Sequence, residues 1–397
     1  IDLRKLDAGR RLDYRVLKGS LEIDLHDIYN SNEKAIMSPE DFLPFQTLDS
    51  LIQRDVPDLA RKLRYRIKDS QRNLIQAQQR LIEEEKYQPI EWAKTGISAC
   101  EDGLFLLTDI LKNSKIRRSK LYPSLQEEIN LLRNVVGEYK DYLKNDLIPN
   151  CEGNFACGRD RFELGLKGKS FIDFSPEEIY AFGIKLFDET KKDIEDLISD
   201  TNYSYKGYLN MLKRNPSSKQ DIFDKYVKYT SDALHFMQDH DLVSLDFDEY
   251  LEITNVPKFM AREFPFGAYG LPPLVGEQKG VLFINSETES SRLEQTNAFI
   301  KLTALHEGYP GHHLQCSLAN LLARERGSSW VNLLNESSTM YEGWAVYCEQ
   351  MMTEQEFISK KSENFIMLRD RLWRALRVQL DVDLHCNGLS YDSAVER

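Results

Sequence analysis

The sequence has no stretch of the ~18–20 consecutive apolar residues that a bilayer-crossing helix needs, so no membrane span is expected. Basic residues are in deficit: 52 Lys and Arg stand against 64 Asp and Glu, a net charge of −12. A surface that reads nucleic-acid phosphates normally carries the opposite excess, so nucleic-acid binding is not expected. Cysteine is scarce, six in 397 residues, too few for a disulfide scaffold at this length. Only Cys151 and Cys157 share a loop, where a bridge and two free thiols are both open. No Gly-x-Ser-x-Gly offers a nucleophile elbow, and no Gly-rich loop followed by Lys offers a phosphate cradle. No repeat period is visible. The chain opens on Ile1 and stops at Arg397 without a turn or tail signal, as expected of a fragment or processed form. Its compartment (secreted, periplasmic or cytoplasmic) and its oligomeric state stay open.

What is present suits a packed helical body. Hydrophobic residues make up 41% and aromatics 11%, enough for a core. Leu51, Ile52, Leu59, Leu63 and Ile67 recur at helical spacing within 48–85, with the helix proper expected to start at Pro57. Leu125, Ile129, Leu132, Val136, Tyr139 and Leu143 mark a second helix over 121–148. Residues 1–150 are thus expected to form an N-terminal helical region and 151–397 a second helical region that holds the β/turn insert and any catalytic site, with one continuous domain as the alternative. Pro149–Asp173 reads as a long loop, and Ser175-Pro-Glu-Glu178 as a capping box opening a helix. Between about 242 and 290 the composition shifts to strand formers and turns, with Val281–Asn285 the best strand. Helices return over about 296–325, 329–353 and 355–384. The expected fold is mainly α, a large multi-helix body with a small β/turn insert.

Three of the seven histidines fall within eight residues: His306-Glu307-Gly-Tyr-Pro-Gly-His312-His313. Neutral imidazoles bind zinc, and a carboxylate beside them can act as general base on the attacking water. The usual His-Glu-x-x-His places both histidines on one helix face, but here the fourth position after His306 is Pro310. On a regular helix His312 points about 240° away from His306, and His313 lies about 10 Å further along. A bulge at Pro310-Gly311 is therefore expected to return His312 to the His306 face, with His313 as the alternative ligand. A polar His-rich turn without metal is the competing reading. Glu342, 30 residues after His312 among Trp, Tyr, Ala and Val, is the expected third ligand and is expected to be buried. Glu349, seven residues on, would support it or lie at the surface.

Three blocks together resemble a known family: His306-Glu-Gly-Tyr-Pro-Gly-His-His-Leu-Gln315, Glu342-Gly-Trp-Ala-x-Tyr-x-Glu349, and Arg374-Ala-x-Arg377 with Asp383-Leu-His385. They are similar to the bacterial domain-of-unknown-function family 885, from about residue 40 onward, including Gly158-Arg-Asp-Arg-Phe-Glu-Leu-Gly165. That family resembles mostly helical zinc metallopeptidases of the thermostable-carboxypeptidase and thimet-oligopeptidase kind. Dipeptidyl-peptidase III, with its own lengthened motif, is a precedent. The family chain usually continues past the equivalent of Arg397. The resemblance implies a zinc-dependent hydrolase acting on a peptide or small amide, with Glu307 as general base. His385 is a candidate oxyanion donor, although a histidine near a helix C-terminus also favours the macrodipole. Arg374 and Arg377 are candidate binders of a substrate carboxylate, and Tyr269 a candidate contact. Val281–Asn285 is expected to be an edge strand able to pair with an extended substrate. The rivals are a non-catalytic helical binding protein, whose metal site would be degenerate or closed by Cys316, and a metal hydrolase of esters or other amides.

Overall fold

The computed structural model describes residues 2–30, 37–53, 56–243, 247–257, 260–262, 264–327 and 338–397. The fold is mainly α, with one small sheet. No helix among the described residues is long and apolar enough to cross a membrane. The chain divides into two compact units, and neither follows a single cut in the sequence. The smaller holds Asp27–Cys157 with Pro257–Glu263, and the larger holds Ile1–His26, Gly158–Val256 and Phe264–Arg397. Helix α1 (Ala8–Tyr29) begins in the larger unit.

In the smaller unit α2 (Phe45–Gln53) and α3 (Leu59–Glu84) are separate helices, followed by α4 (Ile90–Ile110), α5 (Ser114–Arg117) and α6 (Tyr122–Tyr142). Helix α3 starts two residues after Pro57, because Asp58 takes a left-handed φ of 56°. Its buried stripe of Leu63, Ile67, Leu74 and Leu81 meets Leu125, Ile129, Leu132 and Val136 of α6 in one core. These are the positions at helical spacing, so burial of an amphipathic face stabilises both helices.

In the larger unit α7 (Arg159–Gly168) lies in the segment expected to be a loop. It buries none of its residues, so its apolar pattern was weak. Helix α8 (Pro176–Ile198) opens on the expected capping box: Ser175 Oγ accepts from Glu178 N–H, and the Glu178 carboxylate accepts from Ser175 N–H. Then come α9 (Tyr205–Leu212) and α10 (Lys219–Asp239). The sheet comprises β1 (Glu249–Asn255), β2 (Gly267–Gly270) and β3 (Gln278–Ile284) in the order β1-β3-β2. Strand β3 pairs in parallel with β1 and antiparallel with β2. The expected edge strand is therefore central, hydrogen-bonded on both sides, and cannot add a substrate strand along Val281–Ile284. Its unbroken apolar run fits that central position.

Helix α11 (Glu289–Glu294) leads to α12 (Asn297–Glu307) and α13 (His312–Glu325), two helices where one was expected. Helices α14 (Ser338–Glu354), α15 (Lys361–Cys386) and α16 (Tyr391–Glu396) complete the unit. The start expected near 329, and part of the 242–248 run, lie outside the described residues. Helix α12 is buried on most sides. Its Phe299, Leu302 and Leu305 share a core with Ala233 and Met237 of α10 and Phe365 and Ile366 of α15.

Candidate metal centre

Helix α12 ends on His306-Glu307, and α13 begins on His312. The segment between them is a break between two helices, not the bulge within one helix that the spacing suggested. Gly308 N–H still donates to the Ala304 carbonyl, the Tyr309–Pro310 peptide is cis, and Gly311 N–H reaches back to the Leu305 carbonyl. A Cβ on Gly311 would lie 1.9 Å from the His306 carbonyl oxygen, so only glycine lets the chain pass there. Helix α14 holds the break from outside. Trp344 Nε1–H donates to the Pro310 carbonyl at 2.9 Å, and the Cys348 thiol donates to the same oxygen at 3.4 Å.

The same helix supplies both carboxylates of the site. Glu342 Oε2 lies 3.3 Å from His306 Nε2, and its Oε1 lies 3.6 Å from His312 Nε2. The donor atoms of His306, His312 and Glu342 all fall within 4.8 Å of one another, the one group among the described residues that could hold a metal ion. Two zinc bonds at a tetrahedral angle would put their donor atoms about 3.4 Å apart. The two His–Glu separations lie close to that value, and two imidazoles with one carboxylate are a donor set that zinc accepts while leaving a position open.

His306 is oriented from behind. Its Nδ1 is 2.7 Å from Oε1 of Glu349, which is 4% exposed, and Arg374 Nη2–H donates to that oxygen at 3.2 Å. A carboxylate at Nδ1 holds the proton there, so that when the ring gives up its Nε2 proton the lone pair is presented on the Glu342 side. Burial works to lower the His306 pKa, but Glu342 and Glu349 outweigh it and hold it at about 10. The imidazoles of His306 and His312 in turn draw the Glu342 carboxyl well below the usual carboxylate range. The pocket favours positive charge between these groups. Burial raises the Glu307 pKa despite the nearby histidines, which suits a carboxylate that must accept a proton.

Two expectations need correction. Glu342 is not buried: its side chain is 58% exposed, and the buried carboxylate of α14 is Glu349. Trp344 and Cys348 turn inward to Pro310 while Glu342 stands at the rim. His313, the alternative ligand, is fully buried away from the cluster. Its Nδ1 pairs with the Tyr269 hydroxyl at 2.8 Å, and its Nε2 pairs with Glu249, which also accepts from the Tyr309 hydroxyl.

The remaining candidates separate. Tyr269 reaches the neighbourhood, its ring stacked 6.1 Å from that of His312. A Cβ on Gly280 would meet its hydroxyl at 2.3 Å. Arg374 donates to Glu349 and so stands behind His306. Arg377 lies over the Trp373 ring at 5.0 Å. His385 is eleven residues beyond Arg374 on α15, about 16 Å along the helix. It pairs with Asp381 and stacks on Phe162, so it is not gathered at the centre. Cys316 is a buried thiol outside the donor group. No disulfide joins Cys151 and Cys157. Sequence reasoning missed Glu249 entirely. It lies on β1, far from the motif in sequence, and only the sheet brings it to His313.

A family model described as "Bacterial protein of unknown function (DUF885)" matches residues 1–397, extending the resemblance to the first residue. Among solved structures, the chain is similar to a "putative lipoprotein" from Colwellia psychrerythraea, with a TM-score of 0.71 and 15% identity. That match covers 89% of this chain and 66% of that one. A "putative lipoprotein of unknown function" from Shewanella oneidensis is similar with a TM-score of 0.66 and 15% identity, covering 100% of this chain and 75% of that one. At such identity the likeness concerns the fold. Among curated proteins nothing matches.

Proposed function

The chain belongs to the bacterial family of unknown function DUF885, and from that premise we propose that it is a zinc-dependent hydrolase, most concretely a metallopeptidase cleaving peptide or small amide bonds. The observation that carries this reading is the convergence of His306, His312 and Glu342, with Glu307 beside them on the same helix end. His306, His312 and Glu342 would hold the ion. A bound zinc supplies a Lewis acid that polarises the substrate carbonyl and acidifies water. Glu307 takes a proton from the attacking water and delivers it to the leaving amine, a transfer its raised proton affinity favours. The half-exposed Glu342 leaves the cluster open to solvent on one side, as a substrate requires. Cys316 would have to join the donors to close a structural site, and its place outside the group supports the open, catalytic reading.

Metal analysis of purified protein is expected to find about one zinc per chain. A Glu307→Gln variant is expected to keep that zinc while hydrolysis falls about 10²–10⁴-fold on a panel of peptides and esters. Undiminished turnover in that variant removes Glu307 as the base, and turnover confined to esters redirects the substrate class.

A further inference from the structure

Two side chains of α10 pack along α12, and their buried hydroxyls find no hydrogen-bond partner among the described residues. Tyr226 and Thr230 are four residues apart and so share one face of α10. Tyr226 is fully buried and packs with Ile300 and Ala304 of α12. Thr230 is 6% exposed, and a Cβ on Gly308 would lie 3.3 Å from its Cγ2. The face they form therefore runs along α12 from Ala304 to Gly308, past Glu307. Neither Tyr226 Oη nor Thr230 Oγ1 makes a hydrogen bond with any of the described residues. The Thr303 hydroxyl bears on Tyr226, but no bond of acceptable geometry joins them. Tyr226 also feels the charge of Glu307.

A buried hydroxyl without a partner opposes folding, and isosteric apolar residues would avoid that cost. Phe and Val would fill both positions equally well, so packing does not explain Tyr and Thr there. We propose that Tyr226 and Thr230 are positioning residues for Glu307: bridged by ordered water, their hydroxyls hold its carboxylate in the orientation that receives a proton from the attacking water. The catalytic part of this inference rests on the hydrolase reading above.

Tyr226→Phe and Thr230→Val remove each hydroxyl at constant shape, and Thr230→Ser keeps one. In the zinc-loaded full chain, kcat is expected to fall about ten- to hundredfold in the first two, with KM and zinc content unchanged. Thr230→Ser restores most of the loss. A purely structural role predicts a fall in melting temperature with kcat unchanged, and an unchanged kcat overturns the proposal. Crystals supply a readout without turnover: the Glu307 carboxylate should rotate or split in Tyr226→Phe while His306, His312 and Glu342 stay put. If wild-type protein lacks zinc or hydrolyses nothing, the hydrolase reading fails. The crystal comparison then decides the positioning by itself, and an unmoved Glu307 rules it out.

Discussion

At His306 two carboxylates meet one imidazole, and that crowding has measurable consequences. Glu349 holds Nδ1 and Glu342 faces Nε2, so both ring nitrogens have a carboxylate partner. Glu349→Gln is expected to weaken zinc binding about 10–100-fold in a competition assay with a chelator. An unchanged affinity would mean that Glu349 serves packing alone. The metal-free protein should also show a pH signature. The His306 pKa is raised from 6.5 to about 10 in the folded state. Its protonated ring therefore stabilises the fold fully below about 6.5, and that contribution disappears as pH rises through about 10. Thermal melts of metal-free protein should drop across this window and flatten in His306→Ala. Zinc affinity should rise over the same range, because the ion displaces that proton. A melting temperature level from pH 6.5 to 10 would count against the two-carboxylate account of His306.

Among the elements, the break between α12 and α13 decides whether the histidines converge. Gly311→Ala places a methyl on the His306 carbonyl, and relief requires the two helices to part. The cost is expected to be about 1–3 kcal/mol, read by denaturant titration, together with loss of stoichiometric zinc. Normal zinc content in Gly311→Ala would show that the break tolerates repacking. This element also marks how far the sequence could be read. His306, Glu307, His312 and Glu342 announce themselves by residue type and spacing, and the capping box at Ser175 and the stripes of α3 and α6 are local patterns. The choice between His312 and His313 is not local. It depends on how Gly308–Gly311 turn the chain, and His313 is drawn away by Glu249 and Tyr269 from two different strands. The exposure of Glu342 was misjudged for a related reason. Its aromatic neighbours suggested a buried segment, but Trp344 turns inward while Tyr347 is 54% exposed. The centrality of β3 was legible in its unbroken apolar run, which the edge-strand expectation passed over.

For the molecule as a whole, the arrangement of the site within the two units makes a calorimetric prediction. His306, His312, Glu342, Glu349, Arg374 and Glu307 all belong to the larger unit, as do Tyr226 and Thr230. The smaller unit has its own core built from α2, α3, α4 and α6 and contributes no donor. A ligand stabilises only the unit whose folded form binds it, by about 2.7 kcal/mol at a free concentration a hundred times Kd. Units with separate cores unfold as separate transitions unless their interface couples them. Scanning calorimetry is therefore expected to resolve two transitions, with zinc moving one of them upward and leaving the other in place. His306→Ala should abolish that shift without displacing the second transition. A single transition that moves as a whole with zinc would show that the two cores melt as one cooperative body, with the metal centre stabilising residues that make no contact with the ion.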